Sequence, residues 1–267
     1  MAEIPFLTLA ALTRDVNNAG SGDRLNLTIN VGGTDVAIAE FVAEHSRGQG
    51  LLRRAEAVVS FESTSLTQSS VRIGTRGDDA WAPRHILLIG QGTGGRVVAI
   101  AMETDISRWL STDVVEGALT LPLRLLAPEN PDTPIRRLLM LVRTADRRNA
   151  GTDSLVQLQI VARGRPLFSE VITDTSQDDM ERGVANWYEF AVPAPFTLHE
   201  LQRAGAEVTL TMLGDDAWLP ASWFLFGMDT DKGRPSQVIA LARDAVWNRG
   251  WLSADEHEGS KVVRFSV

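Results

Sequence analysis

The pentapeptide Gly77-Asp78-Asp79-Ala80-Trp81 decides the fold, because it recurs unchanged as Gly214-Asp215-Asp216-Ala217-Trp218, 137 residues later. Two residues further on, Pro83 recurs as Pro220 at the same offset. An identity of this length is the signature of an internal repeat, which has to be recognised before any element is assigned. The chain is therefore expected to contain two copies of one structural unit.

Two further matches flank the pentapeptide in the same order. Asn18-Ala19-Gly20 recurs as Asn149-Ala150-Gly151 at an offset of 131, and Trp109-Leu110-Ser111 recurs as Trp251-Leu252-Ser253 at an offset of 142. The offset grows slowly along the chain, which indicates a tandem duplication followed by insertions in loops.

The segment 127–134 separates the two copies. It contains three prolines in eight residues, and proline-rich segments are stiff, extended and solvated. We therefore predict a first domain over residues 1–127, a linker over 128–134 and a second domain over 135–267.

Apolar and polar residues alternate in the segment that follows the first turn of each copy. The apolar positions are Leu25, Leu27, Ile29 and Val31 in the first copy and Val156, Leu158 and Ile160 in the second. A period of two with one apolar face predicts half-buried strands. Short strands separated by Gly and Asp turns predict an all-β fold made of two tandem antiparallel β-sandwiches.

The clearest helical signal lies in the second copy. Thr197 and Glu200 have the spacing of an N-cap and an N3 residue in a capping box, and Gly205 follows as a stop signal. The sequence predicts one short helix between them.

Composition excludes several classes of function. The 267 residues carry a formal net charge of -8, which disfavours nucleic acid as a partner because phosphate binding requires a basic surface. The chain has no cysteine, so disulfides and thiolate chemistry are excluded. The sequence also lacks the G-x-S-x-G motif of a nucleophile elbow. We therefore expect a protein that is not an enzyme.

Several motifs of the second copy resemble the PLAT/LH2 (lipoxygenase-homology) family of β-sandwich domains. Ala150-Gly151-Thr152-Asp153 resembles its AGTD turn, and 180–183 followed by 187–190 resembles its R-G segment and the strand after it. The segments 223–226 and 249–252 resemble its buried tryptophan strand and its closing Trp-Leu. The resemblance implies two PLAT-like sandwiches.

The first copy is more diverged from these motifs. Its turn reads Gly20-Ser21-Gly22-Asp23, with one extra residue, and Arg53-Arg54 is expected where the second copy has Arg182-Gly183. Ile86 is expected where the second copy has Trp223, while Trp109-Leu110 is kept.

PLAT-like loops imply a calcium site at one end of each sandwich. A hard cation of this kind takes six to eight oxygen ligands from carboxylates and backbone carbonyls. The candidate residues are Gly20, Asp23, Asp78, Asp79, Gly151, Asp153, Asp215 and Asp216. The alternative is that Asp and Gly simply form turns, with the carboxylates capping backbone N–H groups. Calcium is the one cofactor that the sequence suggests.

Trp81 and Trp218 follow these acidic turns. A tryptophan at a loop tip suits a lipid interface, a protein partner or a sugar ring. The alternative, which the sequence slightly favours, is that each tryptophan folds back to close its own sandwich.

The sequence as a whole favours a non-catalytic binding or assembly protein that interacts with another protein or with a second copy of itself. Calcium-dependent docking on a membrane surface and carbohydrate binding are the alternatives. The start of the chain lacks the basic region of a signal peptide, and the chain has no transmembrane pattern, so we expect a cytoplasmic protein, although export by a non-standard route stays open. The excess of Arg over Lys favours a bacterial origin.

Overall fold

The computed structural model describes residues 3–31, 33–42, 48–62, 70–172 and 180–267. The chain divides into two compact units. Unit 1 comprises Met1–Pro128 together with Lys232–Ser236, and unit 2 comprises Glu129–Asp231 together with Gln237–Val267. Strands dominate both units, which confirms the predicted all-β class.

Unit 1 is an eight-stranded sandwich with antiparallel pairing throughout its described strands. The strands are β1 (Glu3–Thr13), β2 (Arg24–Val31), β3 (Thr34–Val42), β4 (Gly50–Glu62), β5 (Ser70–Thr75), β6 (Pro83–Gln91), β7 (Val97–Glu103) and β8 (Thr120–Leu125), with a 3-10 turn at Thr93–Gly95. One sheet has the order β4-β1-β6-β7 and the other the order β8-β5-β2-β3. The two sheets join where β7 pairs with the end of β8.

The core of unit 1 lies between these two sheets. Leu25, Leu27 and Ile29 of β2 are buried in it, as the alternating pattern predicts. They face Leu7 and Leu9 of β1, which belong to the same cluster. Burial of apolar area from both sheets is therefore the main stabilising contribution in this unit.

Unit 2 repeats the arrangement. Its elements are β9 (Ile135–Thr144), β10 (Val156–Ala162), β11 (Arg165–Ile172), β12 (Ala185–Phe196), α1 (Leu198–Arg203), β13 (Glu207–Met212), β14 (Pro220–Met228), β15 (Val238–Asp244), β16 (Trp251–Leu252), β17 (Gly259–Ser260) and β18 (Val262–Ser266). One sheet has the order β12-β9-β14-β15 and the other the order β11-β10-β13-β18. The short strands β16 and β17 pair in parallel.

The predicted helix is present as α1. The Thr197 hydroxyl accepts from the Glu200 N–H at 3.1 Å, and the Glu200 carboxylate accepts from the Thr197 N–H at 2.8 Å. These two bonds form the expected capping box, and Leu198 and Leu201 bury the inner side of the helix. Within the described ranges, no helix has the length and apolar composition that crossing a membrane requires.

The two units share one register. Ile86 pairs with Ala11 in unit 1, and Trp223 pairs with Val142 in unit 2, so the expected equivalence of Ile86 and Trp223 holds in the structure.

The expected equivalence of Arg53-Arg54 with Arg182-Gly183 is wrong. The counterpart of Gly183 is Gly48, because both have a positive φ (76° and 71°). The Gly183 N–H donates to the Ala145 carbonyl, and the Gly48 N–H donates to the Arg14 carbonyl at the matching position. Glycine is favoured at both places because left-handed backbone costs it little.

Candidate functional site

Three loops meet at the same end of each sandwich. We call residues 18–24, 75–81 and 110–119 the tip of unit 1, and residues 149–155, 212–218 and 252–261 the tip of unit 2. In unit 1 a pair of backbone hydrogen bonds joins Trp81 to Leu110, and in unit 2 a matching pair joins Trp218 to Leu252. All residues that the sequence suggested for metal or partner binding lie in these tips.

The two tryptophans are structural. Trp81 and Trp218 are both 0% exposed. The Trp81 indole donates to the Thr13 hydroxyl at 3.1 Å, and the Trp218 indole donates to the Thr144 hydroxyl at 3.0 Å. The hypothesis that these rings contact lipid, a sugar or a partner is therefore wrong, since neither ring reaches the surface. Each indole closes its own sandwich, and the bond to threonine satisfies its buried N–H.

The carboxylates of unit 1 bind backbone. Asp79 accepts from the Gly22 N–H at 2.9 Å, and Asp23 accepts from the Asp79 N–H at 2.9 Å. The Ser21 hydroxyl donates to the Asp79 carbonyl at 3.0 Å. These bonds tie the first turn of the tip to the second.

Unit 2 contains the same network with one carboxylate fewer. Asp216 accepts from the Asp153 N–H at 3.0 Å, and the Ser154 hydroxyl accepts from the Asp216 N–H at 3.0 Å. Ser154 therefore occupies the place of Asp23, and Asp153 that of Gly22, so the first turn of unit 1 has no extra residue. A hydroxyl accepts this hydrogen bond in unit 2 and a carboxylate accepts it in unit 1, so the fold does not require a charge at this position.

The other candidate residues lie around these networks. Asp78, Asp153 and Asp215 are exposed, and Gly20 and Gly151 lie in the first turns. A side chain at Gly151 would crowd backbone atoms of 180–182 at 3.2–3.3 Å. Across the ranges that the structure describes, no group of three or more His, Asp or Glu side chains is placed to hold a metal ion. Calcium binding stays a prediction.

The third loop of each tip contains a second repeated hydrogen-bond network, of which the sequence predicts the Trp-Leu-Ser match and the equivalence of Asp113 and Asp255. The Ser111 hydroxyl accepts from the Asp113 N–H at 3.0 Å, and the Asp113 carboxylate accepts from the Val115 N–H at 2.8 Å. The matching bonds in unit 2, at 3.1 and 2.9 Å, involve Ser253 and Asp255. The signal was available, since the whole motif W-L-S-x-D-x-x-E-G recurs at offset 142.

Five of the exposed positions at which the two tips differ are of one kind. Each exchanges an apolar residue for a charged or titratable one: Arg24 for Leu155, Arg76 for Leu213, Val114 for Glu256, Val115 for His257, and Leu119 for Lys261. Among the described residues, eight large apolar side chains are exposed, and five of them are at these positions. The fold tolerates both kinds of residue here, so the apolar ones are not required by packing.

Within the part of the chain that the structure describes, two carboxyl groups outside the tips have shifted pKa values. The hydrogen bond from Asn30 (2.7 Å) and then the ion pair with Arg72 lower the pKa of Asp35. Burial raises the pKa of Glu103, although its ion pair with Arg234 at 2.7 Å opposes that effect. Desolvation therefore outweighs the attraction at Glu103.

Comparison with known proteins identifies no family. No family model matches the chain, and no curated protein matches it. Among solved structures, the alpha toxin from Clostridium absonum is similar over 51% of this chain and 32% of its own length, with 14% identity and a TM-score of 0.36. The chain thus spans about a third of that toxin. The C2A and C2B domains of extended synaptotagmin 2 match over 91% of this chain and 78% of theirs, with 12% identity and a TM-score of 0.13. Similarity at these levels establishes neither a family nor a function.

Proposed function

We propose that this chain is a non-catalytic binding protein, built from two PLAT-like sandwiches, whose role is protein–protein interaction. One observation carries the proposal. Val114 and Val115 are 84% and 89% exposed, the highest values among the large apolar side chains that the structure describes. Contiguous exposed apolar surface marks interaction sites, and these two adjacent side chains belong to neither hydrophobic core.

The loop that presents these valines is well ordered by its own hydrogen bonds. Asp113 accepts from the Val115 N–H, and the Thr112 hydroxyl donates to the Gly77 carbonyl at 2.9 Å, which fixes the loop to the second turn. A loop held in one conformation loses little entropy when a partner binds. Burying each valine fully contributes roughly 1.5 to 3 kcal/mol before the costs of association.

The test compares variants of the full chain in affinity capture from extracts of its host. The variant Val114→Glu/Val115→His carries the residues that unit 2 has at these positions, so it is expected to fold normally. Val246→Glu changes another exposed valine, which lies outside both tips. We expect the wild type and Val246→Glu to retain the same partner and the loop variant to lose it. Equal retention by all three proteins would overturn the proposal.

Membrane docking is the second candidate, because the same exposed valines suit an apolar lipid interior. Co-sedimentation with phosphatidylcholine/phosphatidylserine vesicles, with calcium and with a chelator, tests it. Lipid docking requires that the wild type pellets with the vesicles and that the Val114→Glu/Val115→His variant stays in solution. Carbohydrate binding has no comparable support, since the two tryptophans proposed for it are buried.

A further inference from the structure

The negative charge of the chain is concentrated in the two tips. The tip of unit 1 contains five carboxylates and two arginines, and the tip of unit 2 contains six carboxylates and one lysine. Their net charges of -3 and -5 together equal the net charge of the whole chain, because the remaining 23 acidic and 23 basic residues cancel. The body of the protein is thus formally neutral and its two tips are acidic.

Each tip also presents an apolar pair inside this acidic surface. In unit 1 the pair is Val114 and Val115, which lie between Asp113 and Glu116, and Leu119 in the same loop is exposed as well (54%).

In unit 2 the pair is Leu155 and Leu213, which are 47% and 46% exposed. They are adjacent just outside β10 and β13, since the Leu213 N–H donates to the Leu155 carbonyl at 2.9 Å. Asp153 and Asp215 lie within two residues of them in sequence.

The apolar pairs lie at positions of the two tips that are not equivalent. Where unit 1 has its valines, unit 2 has Glu256 and His257, and where unit 2 has its leucines, unit 1 has arginines. The fold of the tips therefore does not require an apolar pair with acidic neighbours. The two copies reach it by different loops, which indicates that the combination itself has a role.

From this we infer that both tips bind basic, amphipathic protein segments, so that one chain engages two such segments. The inference rests on the proposed protein-binding function and names the class of partner. Lysine or arginine side chains of the partner complement the acidic tips, and its apolar side chains cover the valine or leucine pair. Charge complementarity of this kind increases association rates and specificity, and two sites in one chain strengthen binding to a repeated partner.

Isothermal titration with a synthetic lysine–leucine amphipathic peptide tests the inference on the full chain. We expect two peptides per chain, with affinity that falls as salt is raised. A glutamate–leucine peptide should not bind, and a lysine–serine peptide should bind at least about tenfold more weakly. Equal binding of the lysine–leucine and lysine–serine peptides would show unspecific attraction and overturn the inference.

Variants assign the two sites. Leu155→Ser/Leu213→Ser and Val114→Ser/Val115→Ser should each reduce the stoichiometry from two peptides to one, and the combined variant should bind none. The variant Val114→Glu/Val115→His should also lose one site although it is more acidic, which separates apolar contact from charge. Val246→Ser is the control and should keep both sites. A stoichiometry that none of the tip variants alters contradicts the inference.

Failure here can be distinguished from failure of the proposed function. If the captured host protein is lost with the valine variants and kept with Leu155→Ser/Leu213→Ser, the second site is wrong and protein binding through unit 1 stands. If all tip variants keep the host protein, the proposed function fails as well.

Discussion

Replacing Thr144 by valine should destabilise unit 2 strongly, although the two side chains have nearly the same shape. The Thr144 hydroxyl accepts from the Trp218 indole at 3.0 Å and donates to the Met180 carbonyl at 3.0 Å. Trp218 and Thr144 are both 0% exposed, so water cannot replace these bonds. Each buried polar group left without a partner costs about 1–3 kcal/mol. Two such groups give a loss of about 2–6 kcal/mol in the free energy of unfolding.

Two further variants serve as controls. Thr144→Ser keeps the hydroxyl and removes one buried methyl group, which should cost about 0.8 kcal/mol. In unit 1, Thr13→Val removes the matching bond from Trp81, for an expected loss of about 1–3 kcal/mol.

The assay is urea unfolding of the full chain, combined with hydrogen exchange of the β9 and β14 amides to assign the effect to unit 2. If Thr144→Val unfolds within about 0.5 kcal/mol of the wild type, the range of an ordinary surface substitution, the structural role of Trp218 is refuted. The same holds if Thr144→Ser is as destabilising as Thr144→Val, since the hydroxyl would then be irrelevant.

The other predictions concern the tips and the half-buried Glu103. Asp216→Ala removes the hydrogen bond to the Asp153 N–H and should cost about 0.5–1.5 kcal/mol. Because this bond needs no metal, the drop in melting temperature should be the same with calcium and with a chelator, and a drop seen with calcium alone would contradict it. Gly214→Ala places a Cβ 2.8 Å from the Ser154 Cβ and closer still to its hydroxyl oxygen, so it should lower the melting temperature at a cost of about 1–3 kcal/mol. An unchanged melting temperature would count against this packing. The raised pKa of Glu103 stabilises the folded state fully below the ordinary pKa of a glutamate, and this contribution is lost as the pH rises through the raised value. Glu103→Gln should therefore make the urea midpoint less dependent on pH in that range. Identical curves of urea midpoint against pH for the variant and the wild type would exclude the shift.

The sequence predicts the framework because local patterns determine it. Alternation at Leu25, Leu27 and Ile29 defines a strand and its inner face without reference to any other part of the chain. The capping box at Thr197 and Glu200 is likewise a local signal, and the structure confirms it.

The direction of the loop side chains could not be predicted in the same way. Trp81 follows two aspartates and precedes a proline by two residues, a context that suits an exposed ring as well as a buried one. Its burial depends on pairing with Leu110 and on Thr13, which is 68 residues away in the chain. The aspartates present the same difficulty, because Asp79 caps a backbone N–H of another turn, and that turn is brought near it only by the complete fold.

Each unit places its earliest strand in the interior of a sheet, and this order affects the chain while it is being synthesised. β1 lies between β4 and β6, and β9 lies between β12 and β14. Thr8 bonds to Gln91, 83 residues later, and Thr144 to Trp218, 74 residues later. At a ribosomal rate of about 5–20 residues per second, roughly 4 to 16 seconds pass between synthesis of the inner strand and synthesis of its last neighbour. In both sandwiches an inner apolar strand is therefore synthesised well before its last neighbour, and it stays without that neighbour until the second half of the unit has emerged.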